Sequence, residues 1–223
     1  MKRVMQTAVL VAMVTLVDQM VFAEGVGITA KAGTLGLGAD LTLGLASKLN
    51  TRAGINALNY KFDVGGDGED ADTEEIQSEI DWQSIMAVLD WHPWEGGFRL
   101  SAGVVFNNNE VLLSADVNES IEIGDSEYTI TDLAGKVTFD DVVGYVGIGY
   151  GNAVGEDGHW HFAWDLGVMF QGAPEVTIEA TASNPVIQNM LNADIERETD
   201  DWEEDLEVFD MYPVLSFGIS YSF

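Results

Sequence analysis

Apolar and polar positions alternate with a period of two along most of this chain. At its end, Leu215, Phe217, Ile219, Tyr221 and Phe223 fall on one side, and Val214, Ser216, Gly218, Ser220 and Ser222 on the other. Period two is the mark of a strand with unlike faces, here one large and apolar, the other small and mostly polar. Upstream, Val26, Ile28, Ala30 and Ala32 oppose Gly27, Thr29, Lys31 and Gly33. The phase then inverts, so that Leu35, Leu37, Ala39, Leu41, Leu43 and Leu45 oppose Gly36, Gly38, Asp40, Thr42 and Gly44. An inversion at Gly33-Thr34 predicts a tight turn between two strands. Further strands are predicted over 51–62, 82–91, 98–106, 142–152 and 160–170, which with the last makes eight. A small hairpin, "IEIGDSEYTI", is expected within the acidic stretch 110–141, and as an added pair it would widen a barrel to ten strands.

The connections are unequal. "SKLN", "HPWEGG" and "GEDG" are short and turn-forming, and fall at one end of the strand set, whereas most connections at the other end are long and acidic. The first hairpin is the exception, with a short turn at the long-loop end. Trp91, Trp94, Trp160, Tyr221 and Phe223 all belong to the short-turn end, as an aromatic girdle at a membrane interface would.

A different period appears before the last strand. Asn184 is placed to cap a helix with Pro185 at its first position, and Ile187, Leu191, Ile195, Trp202, Leu206 and Phe209 form a stripe at three- and four-residue steps. The other face carries Glu196, Glu198, Asp200, Asp201, Glu203, Glu204 and Asp205, so 184–209 reads as an acidic helical segment. Acids in its last turns oppose the helix dipole, and the helix therefore needs packing to persist.

The N-terminus reads as a leader. Lys2 and Arg3 precede an apolar run from Ala8 to Val17, and Val21-Phe22-Ala23 fits a cleavage site, giving a signal peptide over 1–23 and a barrel over 24–223. The formal net charge is −29 with only nine lysines and arginines, which excludes phosphate-led nucleic-acid binding. A hydrophobic content of 47% and six tryptophans argue for a folded body. There is no cysteine, hence no disulfide. Beyond the leader no apolar run is long enough for a membrane-spanning helix.

The leader, the alternating strands and the phenylalanine-terminated final strand resemble the small eight-stranded outer-membrane β-barrels of Gram-negative bacteria. That resemblance implies an all-β, antiparallel, up-and-down transmembrane barrel located in the cell outer membrane. It implies outer-membrane lipid and lipopolysaccharide as surroundings. It also makes Phe217, Ile219, Tyr221 and Phe223 the signal read by the barrel assembly machinery. A soluble sandwich would permit the same alternation, and the aromatic placement is what favours the barrel.

Inward positions would hold Lys31, Asp40, Thr42, Arg99, Ser101, Asp165, Gln171, Ser216 and Ser220. Arg99 is expected to pair with Asp40 or Asp165, because charges out of water need partners. This lumen cluster of Lys31, Asp40, Arg99 and Asp165 either holds the barrel shut or lines a narrow cation-preferring channel. The loop 63–75 sets Asp63, Asp67, Gly68 and Glu74 at the first, fifth, sixth and twelfth places of a calcium loop, with Gly65 where a ligand belongs. Ca2+ at such acidic loops is the one cofactor considered. His92 falls in a turn, and His159 and His161 share a strand face without further ligands nearby. His161, Asp165 and Ser101 or Ser216 would make a hydrolase-like trio only if they met, and no enzymatic activity is expected. The function read from the residues is a structural or surface-interaction role at the outer leaflet, dependent on divalent cations, with the channel as its alternative.

Overall fold

A computed structural model describes residues 25–64, 76–94, 96–116, 120–124, 126–154 and 160–223. The expected leader, Asp67, Glu74 and His159 lie outside these residues. In chain order the strands are β1 (Val26–Gly33), β2 (Gly36–Ala46), β3 (Leu49–Val64), β4 (Ile76–Trp91), β5 (Phe98–Asn107) and β6 (Glu110–Asp116). They continue with β7 (Ser120–Ile123), β8 (Ser126–Thr138), β9 (Val142–Tyr150), β10 (Trp160–Phe170) and β11 (Glu175–Ala182). The helix α1 (Gln188–Leu206), with a 3-10 turn at each end, precedes the final strand β12 (Met211–Ser222).

Eight of these strands close on themselves in the order β1-β2-β3-β4-β5-β9-β10-β12, every pair antiparallel and β12 returning to β1. These are the eight that alternation predicts. Thr34 and Leu35 form the turn where the phase inverts, between paired Gly33 and Gly36, and Gly36 adopts the positive φ of 91° that such a turn requires.

The hairpin expected near 120–130 is present as β7 and β8, but it does not widen the barrel. β3 and β4 are each 16 residues long, and only the lower part of β4, Ser84–Trp91, pairs with β5. Its upper part, Gln77–Asp81, pairs with β6, which pairs with β8, which pairs with β11. The insertion thus prolongs one wall upward as an open sheet, and the barrel stays at eight. β11 lies in a stretch where no strand was expected.

The register fixes where that wall leaves the apolar zone. On the outward face of β3 and β4, the pairs Ala53–Ala87 and Ile55–Ile85 are followed by Asn59–Asp81, Lys61–Glu79 and Asp63–Gln77. Polar rows continue across the sheet, as in Asp63–Gln77–Ser114–Ala134–Glu179. Its inner face is apolar and is covered by α1, where Leu191 and Ile195 pack against Ala115, Tyr128, Ile130 and Ala182. Asn184 accepts a hydrogen bond from the Val186 N–H, the cap expected from its position before Pro185.

An unpaired sheet edge is a liability, and α1 covers this one. Gln188 accepts from Ala182 N–H at 2.9 Å and donates to the Ala180 carbonyl at 2.9 Å, while Glu203 accepts from Val176 N–H at 2.9 Å. One of the acids that opposes the helix dipole is therefore used to satisfy the edge of β11.

Candidate functional site: the barrel lumen and the outer cleft

Alternation sends every second residue of the eight strands into the lumen, and two layers result. Toward the short-turn end the layer is ionic. Arg52 reaches Asp90 at 2.9 Å, Asp40 at 3.2 Å and Asp165 at 3.2 Å. Arg99 binds Asp165 at 2.9 Å and donates to the Gly151 carbonyl, and Lys31 binds Asp40 at 2.7 Å. Three cations thus face three aspartates, with their side chains nearly out of contact with solvent. Of the two partners expected for Arg99, the structure selects Asp165, and Asp40 belongs to Lys31 and Arg52. Ser101 donates to Asp90, and Ser216 donates to Asp165.

Arg52 and Asp90 are the central members that the inward set read from the sequence omits. Their signal was present. Ala53, Ile55 and Ala57 face outward, so Arg52 faces in; Ile85, Ala87, Leu89 and Trp91 do the same for Asp90. The weak alternation of β3 hid it.

Above this layer the lumen is apolar. Leu35, Met86, Val88, Val105, Val143, Tyr145, Met169 and Val214 form one buried cluster, with Tyr212 packed against it and edge-on to Trp82. Glycines on inward positions make room. A Cβ on Gly147 would stand 2.5 Å from the Tyr145 hydroxyl, and one on Gly54 would stand 2.1 Å from an Asp40 carboxylate oxygen. The glycine-rich strand β9 is therefore an adaptation to a filled interior. The cavities lined by these residues measure about 10 Å³ each, room for roughly one water.

At the short-turn mouth, His92 Nδ1–H donates to the Gly96 carbonyl at 2.9 Å and Nε2 accepts from Asn50 at 3.1 Å. Burial holds His92 below the usual histidine range, so it is neutral here. Among the described residues His161 Nε2 has no hydrogen-bond partner, Ser101 is committed to Asp90, and Asp165 to two arginines. The hydrolase-like trio is not assembled.

The other candidate lies outside the barrel. Between one stripe of α1 and the sheet of β6, β8 and β11 is a cleft of about 1050 Å³, lined by apolar Ala115, Leu133, Ile178 and Ile195 as well as by polar groups. Asp132, Glu179, Glu196 and Asp200 line it together with Gln188 and Asn192. No lysine or arginine lines it among the described residues. Beneath it, on the apolar face, Tyr128 donates to Asp194, which Arg197 also contacts. The Tyr128 hydroxyl holds the Asp194 carboxyl below the usual carboxylate range, and the same bond raises the tyrosine. Of the calcium-loop residues, Asp63 is the penultimate residue of β3, opposite Gln77, and among the described residues no group of three or more His, Cys, Asp or Glu is placed to hold a metal.

The outer surface of the barrel is apolar and exposed. Trp91, Trp94, Tyr150, Trp160 and Phe223 ring the short-turn end, and Phe217, Ile219 and Phe223 of the candidate assembly signal all stand outward. Tyr221 packs edge-on against both Trp160 and Phe223.

No family model matches the chain, and comparison with curated proteins finds no match. Among solved structures it is similar to Acinetobacter baumannii CarO, at 16% identity over 92% of this chain and 99% of that one, with a TM-score of 0.56. It is likewise similar to Acinetobacter baumannii CarO2, at 19% identity over 89% of this chain and 98% of that one, with a TM-score of 0.57. With its closed ring of eight antiparallel strands and an apolar outer wall, the chain has the fold of an eight-stranded outer-membrane β-barrel.

Proposed function

We propose that the protein is a non-conducting barrel of the cell outer membrane, exported by its leader, whose role is surface interaction through the sheet-and-helix module at the outer leaflet. One observation carries this: the lumen is filled by matched charges below and apolar side chains above, leaving cavities of about 10 Å³. An eight-stranded barrel is only wide enough for its own side chains, and these occupy it. Free volume is found instead outside, in the acidic cleft.

The outward polar rows begin directly above the apolar wall, where lipopolysaccharide phosphates would lie. Glu79, Asp81, Glu110, Glu175 and Glu179 would repel those phosphates, and the only lysines on the same rows, Lys61 and Lys136, are paired with Glu79 and Glu110. Divalent cations shared between carboxylates and lipid phosphates would turn repulsion into attachment. Phe217, Ile219, Tyr221 and Phe223 would serve earlier, as the signal to the assembly machinery.

Conductance across a planar lipid bilayer tests this, after folding is verified by the change in gel mobility on boiling. A folded, silent barrel is expected. Discrete cation-selective openings would overturn it and move the function to Asp40, Arg52, Asp90, Arg99 and Asp165. Retention of lipopolysaccharide by the folded protein should require Mg2+ or Ca2+ and be lost on chelation.

A further inference from the structure

The stripe of apolar residues on α1 does not pack as a unit. Leu191 and Ile195 are buried in the module core, whereas Trp202 is 49% exposed, and in the 3-10 turn Glu207–Phe209 that follows α1 Val208 is 72% and Phe209 56% exposed. The division follows the path of the helix. It starts beside Ala180 and Ala182, where Gln188 is bonded, and descends along β11 to Val176, where Glu203 is bonded. It then reaches the barrel rim, where the Phe209 carbonyl accepts from Gln171 and the Asp210 carbonyl accepts from the Gln171 N–H. Met211 and Phe170, paired in register and both exposed, form the top row of the lipid-facing wall there. The exposed end of α1 is thus continuous with the outward apolar surface of the barrel.

We propose that Trp202, Val208 and Phe209 form an interfacial lipid anchor, seated at the boundary between headgroups and acyl chains of the outer leaflet. This rests on the barrel being embedded in the membrane. Tryptophan favours that boundary because its ring is apolar and its N–H is polar. Exposed Asp200, Asp201 and Asp210 flank the patch and keep the seat shallow, with their carboxylates in the headgroup layer. The anchor would fix the height of α1, and with it one wall of the cleft, above the membrane. Val186 and Met190 are exposed as well, but they lie at the far end of the segment, beyond reach of lipid.

The chain has no cysteine, so single labels are clean. Phe209→Cys, Phe217→Cys and Met190→Cys variants, each carrying an NBD fluorophore, are refolded into phosphatidylcholine vesicles with or without a nitroxide on the lipid acyl chain near the carbonyl. Labels at 209 and 217 are expected to be blue-shifted and to lose most of their emission to the nitroxide, and the label at 190 to keep it. In a Trp202→Glu background, a label on Val208→Cys should lose that quenching while the barrel keeps its heat-dependent gel mobility. Quenching at 217 with none at 209 overturns the anchor and leaves the barrel in the membrane. A blue shift at 209 without lipid quenching also overturns it, since a protein surface then covers the patch. If 217 itself is unquenched, the membrane placement fails and the anchor with it.

Discussion

Lumen and cleft treat charge in opposite ways. In the lumen, Lys31, Arg52 and Arg99 meet Asp40, Asp90 and Asp165 in a closed set of contacts between 2.7 and 3.8 Å. In the cleft, Asp132, Glu179, Glu196 and Asp200 stand with no lysine or arginine among the described lining residues. The difference is one of solvent. A charge withdrawn from water must recover its hydration energy from a partner, whereas a charge at the surface is hydrated and screened. Among the described residues most of the acids are tolerable because they sit where water reaches them. The lumen spends its few cations closing the barrel, and the described acids of the cleft are left to water.

Breaking the matched set should give the largest effect. Arg52→Met leaves three aspartates to share Lys31 and Arg99, and removing one partner from a buried network costs about 3–5 kcal/mol. Urea titration of the heat-sensitive gel mobility in vesicles measures it, with Glu196→Gln in the cleft as the matched control whose midpoint stays put. Similar loss in both would dissolve the contrast between the regions.

Next in size is the apolar seam that holds the cleft together. Leu191 is fully buried, so Leu191→Ala should cost about 2–5 kcal/mol of local stability. Because this core is separate from that of the lumen, protease should gain access to α1 while the barrel keeps its gel mobility.

The smallest effect sharpens the module through pH. In the folded protein Asp194 titrates below its unfolded value because Tyr128 donates to it. A depressed carboxylate contributes stability that is full above the unfolded pKa, near 3.9, and is lost as pH falls through the folded one. Tyr128→Phe should therefore lower the thermal midpoint of α1, followed by circular dichroism at 222 nm. The gap from the native protein should be full at pH 7 and close below about pH 4.

Much of this was legible in the residues, and the exceptions have specific causes. The eight wall strands appear in the alternation because successive residues face lipid and lumen in turn, large and apolar outward and over much of the wall small or polar inward. The same alternation turns Thr42, Gln171 and Ser220 inward, and the structure finds them buried. Arg52 and Asp90 were missed because β3 and β4 run beyond the membrane zone, where the apolar face passes from the outside to the inside of the sheet. Tyr60 and Phe62 share the inward side with Arg52, so one long strand reads as two half-patterns. β11 is hard to read because its short alternation, Val176, Ile178 and Ala180 against Glu175, Thr177 and Glu179, runs almost directly into the helical period that begins at Asn184.

By itself the sequence determined the class of fold, the wall strands, the inward lumen residues other than Arg52 and Asp90, and the acidic helix with its Asn184 cap. Each of these follows from local periodicity, which the chain carries residue by residue. Tertiary structure alone decided that Arg99 binds Asp165 and not Asp40, and that Arg52 is the hub. It also decided that the extra hairpin extends a wall instead of joining the ring, and that the stripe of α1 divides between a buried core and an exposed end. These depend on register and on which strands become neighbours, and residues far apart in the chain, such as Arg52 and Asp165, meet only once the barrel has closed.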